Sequence, residues 1–178
     1  GGNLQLYEAM VPVPAPAGQV ARSGPCESSC ATHQRYEEML VRFHRELAQT
    51  LRQLGASLGI TAAARHLRGC PLPPGRALEE AADLLARIVD EPRPRRQQLL
   101  PLLPALFAEG VFEPAGGLGQ AVEVFIRDAF RDSGGTDPPD LADIVLREVL
   151  PMLGLDPGAL AMPPCLSELV DCCMDDGG

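Results

Sequence analysis

From Thr32 onward, apolar side chains recur at spacings of four and three residues: Tyr36, Leu40, Phe43, Leu47, Leu51, Leu54 and Leu58. Arg35, Glu38, Arg42, Arg45, Glu46, Arg52 and Gln53 fill the other positions. An α-helix returns to the same face with that period, so the stretch predicts an amphipathic helix of about seven turns, with Thr32 as its N-cap. Gly55 and Gly59 each weaken a helix by about 1 kcal/mol relative to Ala, which places its end near Leu58. No segment alternates apolar and polar residues over the length of a strand, and β-branched residues are sparse throughout. The fold class expected is therefore all-α.

The rest of the chain divides into helices by its prolines and glycines. A short helix over Ala62 to Arg68 has Thr61 as N-cap and Gly69 as its stop, and Pro71, Pro73 and Pro74 then impose a loop. Arg76 to Asp90 places Leu78, Ala81, Leu85 and Ile88 on one face. Arg95 to Glu109 is apolar on most sides in its second half, and Pro101 and Pro104 predict a kink or break there. Leu118 to Arg131 forms the next helix. It is followed by one capped at Thr136 or Asp137 that runs from Pro138 to Leu150, then by a last helix from Cys165 to Cys173. The expected architecture is six to eight helices in antiparallel hairpins. The two pairs starting at Arg76 and Leu118 lie about one HEAT-like repeat apart, so a stacked layer and an irregular bundle are both open.

Residues 1–31 read differently. Val11-Pro12-Val13-Pro14-Ala15-Pro16 is polyproline-like, and Ser23-Gly24-Pro25 is a loop signal, so this region is expected to be an extended Pro/Ala-rich tail ahead of an all-helical domain at 32–178. Within the tail only residues 4–10 are amphipathic. Leu4, Leu6, Tyr7 and Met10 make them a candidate docking peptide, for which self-docking on the domain ranks ahead of disorder and partner binding.

The 178 residues carry 24 acidic and 15 basic side chains, a net charge of −9, which argues against a nucleic-acid backbone as the main partner. No apolar run approaches the roughly 18 residues of a membrane span. All the basic residues are Arg. A GC-rich coding bias is the leading account of that, with residence in the ubiquitin system and the superior pairing geometry of guanidinium forks as the other two. Cys26, Cys30, Cys70, Cys165, Cys172 and Cys173 are too few for a disulfide-built scaffold and lack zinc-ligand spacing, so free thiols in a cytoplasmic or nuclear setting are expected, and no metal or cofactor.

Several local patterns suggest function and have plain structural explanations. Gly116-Gly117-Leu118-Gly119 precedes a helix like a phosphate loop, yet no strand precedes it and no Lys follows. Residues 53–68 sound like a helix-turn-helix whose Arg65 and Arg68, with Arg76, would face phosphates. Leu99-Leu100-Pro101-Leu102-Leu103 has the Leu-x-x-Leu-Leu form, and Leu146, Leu150, Leu153 and Leu155 have the spacing of an export signal. Core packing produces both patterns. Glu79, Glu80 and Asp83 read as a solvated face. None of His33, His44 and His66 falls in an apolar stripe.

With no cluster of catalytic residue types, the expectation is a non-enzymatic adaptor or scaffold domain that binds a partner protein's helix or peptide in a groove between helices. Phe107, Val111, Phe112, Phe125 and Phe130 are the candidate groove residues, with Arg127 and Arg131 at the rim. The alternatives are a secreted, disulfide-tied helical-bundle ligand and a DNA-binding regulator acting through the corner at 53–68. The oligomeric state is left open.

Overall fold

The computed structural model describes residues 26–112, 117–132 and 139–162, with side chains described for 32–112, 117–131 and 141–162. The polyproline stretch, the docking peptide 4–10, the caps at Thr136 and Asp137 and the helix over Cys165 to Cys173 lie outside these residues. Among the described residues the protein is all-α. The elements are α1 (Cys26–Gln53), α2 (Ile60–Arg68), α3 (Ala77–Val89), α4 (Arg93–Leu99), α5 (Leu102–Ala108), α6 (Gly117–Asp132) and α7 (Pro139–Ile144). A π-turn (Val145–Val149) joins α7 to α8 (Leu150–Leu153), and a 3₁₀ turn (Pro157–Ala159) follows.

Helix α1 starts at Cys26, which places Thr32 inside the helix and not at its cap. Its C-terminal half carries the buried residues Phe43, Leu47 and Thr50, and Leu54 just beyond it is buried too, while residues 32–38 are all exposed. It ends at Gln53 because the chain turns at Gly55, whose φ of +84° suits a residue without a Cβ. Its last turn is capped from outside. The Arg95 guanidinium donates to the Leu54 carbonyl at 2.8 Å and also to the Leu51 carbonyl, satisfying acceptors that a helix end leaves open. Helix α2 begins at Ile60 with Gly59 as N-cap, earlier than Thr61 implied, and no side chain bonds its first amides. Gly69 closes it as expected.

The Arg95 to Glu109 stretch is two helices. Pro101 has no N–H for the ladder and its ring collides with the carbonyl four residues back, so α4 ends at Leu99 and α5 restarts with Pro101 as N-cap. Pro104 is harmless because it sits in the first turn of α5. Leu99, Leu100, Leu102, Leu103 and Leu106 are each no more than 2% exposed, which makes this broken segment the centre of the core. Around it α2 packs chiefly on α5 and α3 chiefly on α6, while α1 lies along α2 and α5 also meets α6.

Pro151 explains the π-turn. It offers no N–H to Arg147, and the turn ahead of it widens until the Leu150 N–H reaches the Val145 carbonyl. Val145 and Val149 stay fully buried. Gly154, at φ +67°, then stops α8 in the left-handed conformation, with the Leu155 N–H returning to the Leu150 carbonyl at 3.0 Å.

Two substitutions test this account by denaturant unfolding. Leu103→Ala should cost about 2–5 kcal/mol, the range for emptying a buried Leu site. Arg95→Ala should cost about 1–3 kcal/mol, because the half-buried carbonyls that end α1 lose a charged donor. An Arg95→Ala protein as stable as wild type would contradict the capping role.

Candidate functional site

Helices α3 and α6 pack along their buried faces and leave an open groove of about 480 Å³ at their edge. Leu78 and Ala82 from α3 and Val124 from α6 form its apolar floor. These positions are spaced by four on α3 and bracketed by Gln120 and Arg127 on α6, so each helix contributes one ridge to the groove. The short side chain of Ala82 deepens it. Its rim is charged: Arg76 pairs with Glu79 at 2.6 Å, and Arg127 donates to Asp128 at 3.2 Å. Asp83, also at the rim, has no ion pair among the described residues.

Beneath the α3 side lies a polar cluster. Glu80 is 2% exposed, so the sequence expectation of a solvated face holds for Glu79 and Asp83 and fails for Glu80. The reason is helical period, since residues 80, 84 and 88 fall on one line and Leu84 and Ile88 face the core. His44 of α1 makes a 2.6 Å hydrogen bond with Glu80 Oε2, and Arg76 Nη2 lies 3.6 Å from Oε1. Oε1 itself has no hydrogen-bond partner. The cluster fixes the N-terminal turn of α3, which supplies one wall of the groove, against α1.

The residues expected to line a groove are dispersed. Phe112 is fully buried, edge-on to Phe43 with ring centroids 6.3 Å apart, and it tilts against Phe107 at 5.4 Å. Phe125 is a core residue of α6. Phe107, Val111 and Phe130 are partly buried against the core, and Arg127 and Arg131 are exposed on α6. Of the set, Arg127 lines the α3–α6 groove, while Val111 borders a smaller cavity of about 210 Å³ near the buried Cys70. Leu78, Ala82 and Val124 were missed as site residues, because nothing in their spacing distinguishes an open edge of an apolar stripe from a covered one. The candidate peptide residues Leu4, Leu6, Tyr7 and Met10 lie outside the described residues.

The other patterns have visible explanations in the packing. Arg65 and Arg68 both face Glu109, the residue that caps the end of α5, at 3.2 and 3.5 Å, and so tie α2 to the end of α5. Leu99 to Leu103 pack in the core, as do Leu150 and Leu153, with Leu146 and Leu155 partly buried against it. Among the described residues no three of His, Cys, Asp and Glu converge as a metal site would require, and no helix is long and apolar enough to cross a membrane.

His44→Ala should lower stability by about 1–3 kcal/mol, because it strips a buried carboxylate of its hydrogen bond. Arg65→Ala should cost no more than about 1 kcal/mol, as expected of an exposed ion pair. Chemical denaturation of both variants checks the contrast, and equal costs would contradict it.

In comparisons with known proteins, no protein-family model, no curated protein and no solved structure matches the chain.

Proposed function

We propose that this protein is a non-enzymatic interaction domain, an adaptor or scaffold, that receives a helix or peptide of a partner protein in the groove between α3 and α6. The observation that carries the reading is the groove's make-up: a floor of Leu78, Ala82 and Val124 inside a charged rim. Such a surface suits an amphipathic helix that lays apolar anchors along the floor and polar groups on the rim. Asp83, without an ion pair among the described residues, favours a basic residue on the incoming segment. We read the architecture as an irregular bundle and not a stacked layer of hairpins, because the principal neighbours of α2 and α3 are α5 and α6 and not the next helix in the chain. The irregular cysteine spacing supports a cytoplasmic or nuclear setting with reduced thiols.

Selection of displayed helical peptides on the purified protein tests this. The expected outcome is an amphipathic, basic peptide whose affinity falls at least about tenfold in Val124→Glu, the usual weight of an interface anchor, with the melting temperature unchanged. Failure to select any peptide would refute the reading, as would binding indifferent to Val124→Glu and Leu78→Asp.

A further inference from the structure

The described chain ends on α6. After the 3₁₀ turn, the Leu160 side chain lies 3.4 Å from where a Cβ on Gly119 would sit, and the Ala161 N–H donates to Glu123 Oε1 at 2.8 Å. Both contacts seat the end of the described chain on the first turns of α6, where the Met162 N–H returns to the Leu160 carbonyl at 2.9 Å. Gly119, Glu123 and Phe130 fall on one flank of α6 at helical spacing, and Arg127 and Arg131 form the exposed edge beside them. Phe130 is only partly buried, and Arg131 has no ion pair among the described residues. Further along α6 this flank offers the half-buried Phe130 beside two exposed guanidinium groups, of which Arg127 also bonds Asp128.

The residues that follow have the complementary character. Segment 163–178 contains Glu168, Asp171, Asp175 and Asp176 and no basic residue, and Leu166, Leu169, Val170 and Cys173 recur at spacings of three, one and three, which is one face of a helix. The distance fits. Arg131 lies about 12 Å along the helix axis from Glu123, and the residues from Met162 to Leu166 span about 13 Å when extended.

We propose that segment 163–178 docks along this flank of α6, with Leu166, Leu169 and Val170 against Phe130 and with Glu168 and Asp171 facing Arg127 and Arg131. The docking does not depend on the groove reading, because Phe130 and Arg131 are not in the groove lining and the two surfaces share only Arg127.

Hydrogen exchange by mass spectrometry on the full chain at low ionic strength tests the docking. Backbone amides over 165–172 should exchange at least about tenfold more slowly than in a synthetic peptide of residues 163–178. Arg127→Glu with Arg131→Glu should abolish that protection while amides of α3 and α5 keep theirs. Adding Glu168→Arg and Asp171→Arg to the same protein should restore it. Wild-type exchange as fast as the free peptide would overturn the proposal. So would protection that survives the Arg→Glu pair, or protection that grows with protein concentration and so reports a second copy as the occupant. Loss of peptide selection on the groove with segment protection intact would refute the functional reading and leave this one standing.

Discussion

Everything in this fold is arranged around a leucine segment that has no polar side. Leu99, Leu100, Leu102, Leu103 and Leu106 are almost completely inaccessible, although Pro101 interrupts the helix that carries them. Five buried leucines on successive turns need neighbours on several sides, while Pro104, Ala105 and Ala108 leave one edge of α5 towards solvent. Here α2 covers α5 from one side, α6 meets it from another, and α3 completes the layer through α6. The proline break lets the two short helices follow the surrounding elements, at the cost of ladder hydrogen bonds that a straight rod would keep.

Polar ties hold the outer elements to this centre. Arg96, 7% exposed, donates to Glu148 at 3.1 Å and to the Glu91 carbonyl at 3.1 Å, and Arg93 meets the other oxygen of Glu148 at 3.1 Å. One carboxylate on the π-turn is thereby clamped by two side chains of α4. Burying a charge is unfavourable unless it is paired and hydrogen-bonded, and a wrong register of the π-turn would leave Arg96 without its carboxylate. Glu80 and His44 play the same part between α3 and α1, and Arg95 does so at the end of α1. The all-Arg composition matters at these points. At Arg95 the two Nη groups reach two carbonyls, and at Arg96 they reach a carboxylate and a carbonyl, from separate nitrogens held in one rigid plane. At these two positions the guanidinium has a structural use.

Periodicity made much of the fold readable. The all-α class, the extent of α3 and α6, the stop of α2 at Gly69 and the break at Pro101 all follow from local rules about apolar spacing, glycine and proline. Helix starts were less readable. Thr32 and Thr61 have the chemistry of caps, yet α1 begins at Cys26 and α2 at Ile60, because a capping side chain contributes only about 1 kcal/mol and other contacts outweigh it. The site was barely readable. Phe112 and Phe125, large apolar side chains suited to a groove, belong to the core, whereas the groove is floored by smaller ones, Ala82 and Val124, where two ridges diverge.

By itself, then, the sequence determined which stretches are helical and which face of each is apolar, since both are properties of one helix and its 3.6-residue period. Only the tertiary structure decided which apolar faces are fully covered and which stop short. It also decided that Glu80 is buried beside His44, that Arg95 caps a helix more than forty residues earlier, and that the Ala161 N–H bonds Glu123 of α6. These are contacts between segments far apart in the chain. Their partners are selected by the geometry of packing around the central leucines, and no local pattern records that choice.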